Sequence, residues 1–251
     1  MTVAAAGVVV TGAGQGLGRA FALDLARCGW RVGVADIDGD RAADVAAEIE
    51  QQAGVAVPFA CDVSDSGQVG ALAREAVHRL GPVVGLVNNA AIFSALEMGP
   101  FEEIDPAVWE RVMKVNVTGV FLMCRAFVPH MRAQGYGKIV NISSATIFTG
   151  RPMYLHYVTS KAALIGLTRS LAAEVGPAGI RVNAVTPGST ETEVERATIT
   201  LEQRQAMAAA TALRRVQVPS DLVGAVEFLL SEGSDFITGQ TLNVDGGFAY
   251  H

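Results

Sequence analysis

The stretch GVVVTGAGQGLGRAFALDLARCG, residues 7–29, decides the fold. Its opening, 7–11, is a short β-branched apolar run, which is typical of a buried strand. Its second half, 16–29, ends at a glycine and repeats apolar side chains at helical spacing, on a face made of Leu17, Ala20, Phe21 and Leu25. A strand that passes through a glycine-rich turn directly into a helix is the first half of a β–α unit.

The same alternation continues to the end of the chain. Further strands are predicted at 31–36, 55–63, 83–89, 137–144, 180–187 and 239–247, and further helices at 38–54, 64–81, 105–133, 154–176 and 219–231. Regular β–α alternation predicts an α/β fold, a single Rossmann-type doubly wound parallel sheet of about seven strands with helices on both faces. Because no linker or repeat interrupts the pattern, we expect one domain over 1–251.

Composition narrows the function classes. The chain has 251 residues, half of them hydrophobic, and a formal net charge of −6, which disfavours a nucleic-acid partner. No apolar run approaches the ~20 residues of a membrane span, and the N-terminus lacks the features of a signal peptide, so no membrane partner is expected. Three scattered cysteines favour a cytoplasmic protein with reduced thiols, and the four histidines form no metal-ligand pattern, so no metal is expected.

The glycine-rich turn follows the pattern TGxxxGxG, with Gly12, Gly16 and Gly18. Between a strand and a helix, such a turn lets the backbone approach a pyrophosphate, and the helix N-terminus supplies N–H groups to it. The second strand ends at Asp36, where a carboxylate can accept both ribose hydroxyls of NAD and repel the 2′-phosphate of NADP. No lysine or arginine stands at 15 or 37. The other interpretation of Asp36 is the start of a simple turn.

The stretch YLHYVTSK, 154–161, has a candidate acid/base. Tyr157 and Lys161 are four residues apart and share a helix face, and a nearby cation lowers the high pKa of a phenol. Ser144, at the end of a predicted strand, is placed to hold a substrate oxygen. Asn116 is a misfit inside a helix, which suggests a kink and a bound water, or else a surface asparagine.

At this point the chain resembles the compact, single-domain short-chain dehydrogenases/reductases over nearly its whole length. The matching pieces, in order, are TGAGQGLG (11–18), Asp36, CDV (61–63), NNAA (88–91), Asn116, IVNISS (139–144), YVTSK (157–161), RVNAVTPG (181–188) and GQTLNVDGG (239–247). One position departs from the family pattern NNAG, because Ala91 stands where glycine is usual. The added methyl group narrows the floor of the site slightly.

The resemblance implies a set of roles. It implies an NAD site made of Gly12, Gln15, Gly16, Leu17, Gly18, Asp36, Ile37, Asp62, Val63, Asn89, Ala90, Tyr157, Lys161, Pro187, Gly188, Thr190 and Thr192. It implies that Tyr157 is the acid/base, that Lys161 lowers its pKa, that Ser144 positions the carbonyl and that Asn116 holds a water. Ser143 and Tyr154 are near neighbours without these roles. It also implies a homotetramer assembled through the two long helices and the C-terminal segment.

The substrate side is largely apolar. The candidate substrate-binding residues are Phe93, Ser144, Ala145, Thr146, Met153, Tyr154, Tyr157 and Val194. Segment 188–212 is interpreted as a substrate lid or a loosely packed surface helix. These features favour an enzyme that interconverts a hydrophobic, aromatic or alicyclic, secondary alcohol and its ketone. The alternatives are a 3-oxoacyl-thioester reductase and a non-catalytic NAD-binding regulator.

Overall fold

The computed structural model describes residues 6–194 and 201–250. Its strands are β1 (Gly7–Thr11), β2 (Arg31–Asp36), β3 (Val55–Ala60), β4 (Val83–Asn88), β5 (Gly137–Ile142), β6 (Ile180–Pro187) and β7 (Thr241–Val244). Its helices are α1 (Gly16–Arg27), α2 (Gly39–Gln51), α3 (Ser66–Leu80), α4 (Pro106–Met113), α5 (Gly119–Gln134), α6 (Thr146–Thr149), α7 (Leu155–Val175), α8 (Leu201–Ala210) and α9 (Ser220–Leu230).

The seven strands form one parallel sheet in the order β3-β2-β1-β4-β5-β6-β7. The predicted fold class is therefore confirmed. The chain winds outward from β1 to β3 and then returns to pair β4 with the other edge of β1. In a sheet of this kind the crevice beyond the carboxyl ends of the strands, where the order reverses, is the place where ligands bind.

Two apolar layers cover the sheet. Strand residues alternate between them: Val8 and Val10 of β1 face one layer and Val9 faces the other. The first layer packs under α1, α2 and α9, and the second packs under α3, α5 and α7. Because both faces are buried, the strands are apolar throughout, which explains why they stand out so clearly in the sequence.

A buried polar chain ties the second layer to the sheet. The amide of Asn88 in β4 donates to Asn141 in β5 over 2.9 Å, and Asn141 donates to the hydroxyl of Thr168 in α7 over 2.9 Å. All three side chains are almost fully buried. This chain fixes α7 against the centre of the sheet, and α7 carries Tyr157 and Lys161.

The helix predicted at 105–133 is interrupted. It consists of α4, a π-helical turn over Lys114–Thr118, and α5. Asn116 lies inside the π-turn and is 1% exposed, so the expected helix irregularity is confirmed and the surface alternative is not. Pro106–Gln134 has the length and composition of a membrane span, and its Met123, Phe127 and other side chains are buried against the sheet.

Two smaller differences concern the ends of predicted elements. The strands predicted at 55–63 and 239–247 are shorter, at Val55–Ala60 and Thr241–Val244. The one-turn helix α6 was not predicted. Within the predicted lid, residues 188–194 and α8 are described, whereas 195–200 lie outside the described residues. Movement of this segment stays a prediction.

Candidate active site

One cavity of about 640 Å³ opens beyond the carboxyl ends of the central strands. Most of the residues predicted for the cofactor and the substrate line it: Gly12, Gln15, Gly16, Leu17, Asp36, Ile37, Asp62, Val63, Asn89, Ala90, Phe93, Ser144, Ala145, Thr146, Tyr154, Tyr157, Lys161, Pro187, Gly188, Thr190, Thr192 and Val194. Gly18, Asn116 and Met153 do not belong to its wall. The structure therefore gathers residues from positions 12 to 194 around one space.

The glycine-rich turn has no room for side chains where it meets the sheet. Gly12 has a φ of +62°, and a Cβ there would lie 2.8 Å from the Cα of Ala90. A Cβ on Gly18 would lie 2.0 Å from the carbonyl oxygen of Gly12. Gly18 thus sets how closely α1 approaches the turn and acts through packing, which explains why it does not line the cavity.

The N-terminus of α1 has an acidic partner from a distant loop. The backbone N–H of Gly16 donates to the carboxylate of Glu193 over 2.9 Å. A carboxylate at this point uses the same N–H group and the same positive end of the helix dipole that a phosphate would use. The contact therefore identifies the turn as an anion-binding position.

Asp36 lies at the end of β2 on the cavity wall. One carboxylate oxygen accepts the N–H of Gly14 over 2.8 Å and the other accepts the N–H of Asp38 over 3.0 Å. These two bonds orient the carboxylate and leave further lone pairs for hydroxyl donors. Nearby, Arg41 forms an ion pair with Asp38 at 3.1 Å and donates to the amide oxygen of Gln15.

The floor of the cavity is held by Asn89. Its amide donates to the carbonyl oxygens of Thr11 and Gly12, both over 3.0 Å. The Thr11 hydroxyl accepts the backbone N–H groups of Asn89 and Ala90. The end of β4 is thereby fixed to the glycine-rich turn. A glycine cradle, a bound carboxylate at the helix N-terminus and an oriented Asp36 together fit a dinucleotide with its pyrophosphate at the turn.

At the other end of the cavity, Tyr157 and Lys161 share one face of α7. The Lys161 Nζ lies 5.8 Å from the centre of the Tyr157 ring and donates to the carbonyl oxygen of Ile142 over 2.8 Å. Burial lowers the pKa of Lys161 to about 8, because the charged form loses its water. At neutral pH the lysine is still mostly protonated and places a cation beside the phenol.

Two adjacent serines at the end of β5 have different partners. Ser144 Oγ accepts the hydroxyl of Thr146 over 2.9 Å and its backbone N–H over 3.3 Å, and it lines the cavity. Ser143 Oγ donates over 2.7 Å to the carbonyl oxygen of Lys161. Both serines line the cavity, but Ser143 uses its hydroxyl hydrogen to position the helix that carries Lys161, whereas Ser144 Oγ accepts from Thr146 and keeps its own hydrogen.

The side chain of Asn116 makes three hydrogen bonds inside the protein. Its oxygen accepts the N–H of Ile92 over 2.8 Å, and its NH₂ group donates to the carbonyl oxygen of Ile92 over 3.2 Å and to Ser160 Oγ over 3.0 Å. The side chain thus fixes the loop after β4 to α7. The water at Asn116 stays a prediction.

Aromatic rings form the substrate side of the wall. The ring of Tyr157 lies 4.8 Å from that of Tyr154 and 5.9 Å from that of Phe93. The Tyr154 hydroxyl donates to the carbonyl oxygen of Phe93 over 2.7 Å. Tyr154 is therefore a wall residue. His156 is buried with its ring edge against Tyr154 and does not line the cavity.

Met153 is not at the predicted place. It has a φ of +63° and is half exposed. It lines a separate shallow groove with Phe101 and Leu155. The left-handed backbone directs the residue to the far side of the loop that precedes α7, and local periodicity does not predict a positive φ at a methionine.

Sequence reasoning missed several participants. Gly14 has no room for a side chain, because its Cβ would lie 2.9 Å from a carboxylate oxygen of Asp36. Its place among four closely spaced glycines is the one feature of the sequence that could have identified it. Arg41 comes to Gln15 from the first turn of α2, and Glu193 comes to Gly16 from 177 residues away. Neither contact has a local signature in the sequence.

Comparison with known proteins identifies the family. A family profile described as "Enoyl-(Acyl carrier protein) reductase" matches residues 12–249. The chain is 40% identical over 96% of its length to the "Probable galactose dehydrogenase" of Rhizobium meliloti (strain 1021), covering 94% of that protein. It is 38% identical to the cis-4-hydroxycyclohexanecarboxylate dehydrogenase of Sinomonas cyclohexanicum, with 96% and 95% of the two chains covered.

Solved structures give the same result. A gluconate 5-dehydrogenase from Burkholderia cenocepacia J2315, solved in complex with NADP and tartrate, superposes with a TM-score of 0.92 at 34% identity, with 98% of this chain and 96% of that chain covered. The chain is therefore an oxidoreductase that uses a nicotinamide dinucleotide. It belongs to the short-chain dehydrogenase/reductase family.

Proposed function

We propose that the protein interconverts a hydrophobic, alicyclic or aromatic, secondary alcohol and its ketone, with NAD as cofactor and Tyr157 as acid/base. The observation that carries this proposal is the arrangement of Tyr157, Lys161 and Ser144 around one end of the cavity whose other end has the glycine cradle and Asp36. When bound, the nicotinamide accepts or donates the hydride at the carbinol carbon.

The proton is handled by the chain's own residues. In alcohol oxidation, Tyr157 as phenolate accepts the hydroxyl proton, and the Lys161 ammonium stabilises that phenolate. Ser144 Oγ accepts two hydrogen bonds from Thr146, which leaves its own O–H to donate to the substrate oxygen. In ketone reduction the same groups act in reverse, and Tyr157 returns the proton to the carbonyl oxygen.

The apolar wall supports the substrate class. The rings of Phe93 and Tyr154 line the cavity beside Tyr157, and such a wall suits a ring or short hydrocarbon body. Val194 instead lies at the glycine-rich turn, next to Gly16. Of the relatives, one is named for an alicyclic hydroxy acid and others for galactose and gluconate. The apolar side chains favour the alicyclic choice.

The test of the catalytic assignment is oxidation of a panel of chiral secondary alcohols by the wild type and by Tyr157→Phe. We expect the variant to lose about 10²- to 10⁴-fold in kcat, because general acid–base catalysis contributes that much. Its cofactor Kd, measured by protein fluorescence, is expected to stay within a few-fold of the wild type. Unchanged turnover in the variant would show that another group moves the proton.

The preference for NAD rests on Asp36. Its carboxylate lines the cavity at the end of β2, where it accepts ribose hydroxyls and repels a 2′-phosphate. Arg41 is the nearby cation, but it is paired with Asp38. We expect kcat/KM with NAD to exceed that with NADP, and Asp36→Ser to reduce the ratio by at least tenfold. A wild-type preference for NADP would contradict the cofactor proposal.

A second candidate is reduction of 3-oxoacyl thioesters. The description of the matching family profile supports a substrate carried by acyl carrier protein, although it names the enoyl group. Reductive biosynthesis usually uses NADPH, so the two candidates differ in cofactor as well as substrate. Assays of acetoacetyl-CoA with NADPH, beside cyclohexanol with NAD, separate them. A higher kcat/KM for the thioester would replace the first candidate with the second.

The assembly is proposed to be a homotetramer. Large apolar side chains are exposed on the two long helices and near the C-terminus, which supports association through those elements. They are Val108, Phe121, Leu155, Phe236, Leu242, Phe248 and Tyr250. Light scattering after size exclusion is expected to give about four times the chain mass of 26.2 kDa at micromolar concentration. A monomer under these conditions would contradict the proposal.

A further inference from the structure

Arg151 is a cation at the substrate end of the cavity whose role the proposed reaction leaves open. It lies in the loop between α6 and α7 and lines both the cavity and the shallow groove beside it. Its guanidinium carbon is 5.4 Å from the centre of the Tyr154 ring. That ring is 4.8 Å from the ring of Tyr157, so Arg151 is one aromatic side chain away from the proposed acid/base.

The hydrogen-bonding groups of Arg151 are mostly available. A guanidinium has five N–H donors. One of them reaches the Met98 sulfur over 3.3 Å, and a thioether is a weak acceptor. Among residues 6–194 and 201–250, Arg151 has no carboxylate partner within ion-pair distance. By contrast Arg215, which also lines the cavity, is paired in bidentate fashion with Asp221.

The charges on the cavity wall are unevenly placed. Asp36 and Asp62 lie at the cofactor end, at the ends of β2 and β3. Phe93, Tyr154 and Thr146 are neutral side chains that line the cavity with Arg151, and Glu102 lines the shallow groove on its other side without forming an ion pair with it. A half-buried guanidinium stacked on an aromatic ring, with unused donors, is an arrangement that binds a carboxylate with two parallel hydrogen bonds.

We propose that Arg151 is a specificity-determining residue that binds a carboxylate of the substrate, so that the protein acts on an anionic hydroxy acid. This inference rests on the proposed alcohol oxidation at Tyr157. The two ring distances together limit the separation of the guanidinium carbon and the Tyr157 ring centre to about 10 Å. This span admits a carboxylate and a carbinol at opposite ends of a small apolar body, such as a six-membered ring, and it excludes a long acyl chain held straight between the two groups.

The experiment compares three alcohols of similar shape with NAD: 4-hydroxycyclohexanecarboxylate, its methyl ester and cyclohexanol. We expect the wild type to oxidise the acid with a kcat/KM about 10- to 100-fold above that of the ester, because charged hydrogen bonds are the strong ones. In Arg151→Met the acid is expected to lose this advantage, mostly through a higher KM, whereas the ester keeps its wild-type values. Arg151→Lys is expected to recover part of the advantage, because it keeps the charge without the planar fork.

Two further measurements separate binding from folding. Cyclohexanecarboxylate, which has no hydroxyl and cannot react, should inhibit the wild type competitively and should inhibit Arg151→Met at least tenfold more weakly. Arg74→Gln, a change of an exposed arginine on α3, is the matched control and should behave as wild type. Equal loss for acid and ester in Arg151→Met would show that Arg151 only supports the loop.

The outcomes also separate this inference from the function on which it rests. Oxidation of cyclohexanol and the ester as efficiently as the acid would overturn the role of Arg151 and leave the alcohol dehydrogenase proposal standing. Failure to oxidise any secondary alcohol, with thioester reduction instead, would overturn both.

Discussion

Substitution of Gly18 by alanine gives a sharp test of how α1 meets the glycine-rich turn. The new Cβ would lie 2.0 Å from the Gly12 carbonyl oxygen and 2.6 Å from the Asn89 amide nitrogen. Since carbon and oxygen do not approach below about 3 Å, the helix must move by about 1 Å. That movement breaks the two 3.0 Å bonds that Asn89 donates to Thr11 and Gly12.

The expected cost follows from these contacts. Overpacking costs about 1–3 kcal/mol and each lost hydrogen bond about 1 kcal/mol. The better helix propensity of alanine returns up to about 1 kcal/mol. We therefore expect Gly18→Ala to lower the free energy of unfolding by about 2–4 kcal/mol. At about 2–4 °C per kcal/mol this is a fall in Tm of roughly 5–15 °C.

The assay is thermal unfolding at fixed protein concentration, followed by titration with NAD. Gly70→Ala in α3 is the matched control, because its Cβ would meet only the flexible end of Arg74 at 3.6 Å. The control is expected to be neutral or slightly stabilised, by up to about 1 kcal/mol. The cofactor Kd of Gly18→Ala is expected to rise at least tenfold. Equal Tm values and equal Kd values for the two variants would refute the argument from close packing.

Three other predictions follow from contacts at the site. Glu193→Gln should lower the Kd for NAD by about fivefold, because a neutral amide competes with the cofactor phosphate for the Gly16 N–H less strongly than a carboxylate does. Isothermal titration that shows equal or weaker binding of NAD would refute this. The pKa of Lys161 is depressed, so above pH 8 the unfolded chain binds more protons than the folded one. The free energy of unfolding of the wild type, relative to that of Lys161→Met, should therefore rise by up to about 3 kcal/mol between pH 7.5 and 10.5. Denaturant titrations in which this difference stays constant with pH would exclude the effect. Asn116→Ala leaves polar groups of the half-buried Ile92 and the buried Ser160 without their partner. It should cost about 2–4 kcal/mol by denaturant unfolding and lower kcat more than it raises KM; unchanged stability would contradict that role.

Much of the fold is visible in local patterns. Both faces of the sheet are buried, so each strand is an apolar run, and each crossover helix has its own apolar face. The three proposed catalytic residues can also be found from the sequence, because Tyr157 and Lys161 are linked by helical spacing and Ser144 stands at a strand end. Asn116 stood out because an amide side chain is a poor choice within a helix, and the π-turn is the physical reason it is tolerated.

Other features depend on the packed structure and have no local pattern. Lys138 occupies a central strand with a fully buried side chain, because Asp235, Ser234 and the Ser231 carbonyl surround its ammonium group from a distant segment. Nothing near position 138 indicates this. The direction of Arg151, the turn at Met153 and the approach of Glu193 to Gly16 likewise arise from tertiary contacts, which periodicity cannot encode.

The buried chain from Asn88 through Asn141 to Thr168 has a consequence for how this protein can be altered. Each member satisfies a neighbour, so a single apolar replacement leaves an unpaired polar group in a dry interior and is costly. Replacement of all three by apolar residues of similar volume leaves no polar group of this chain in need of a partner. The three positions are therefore expected to change together in a stabilised variant, as a unit that spans two strands and a helix.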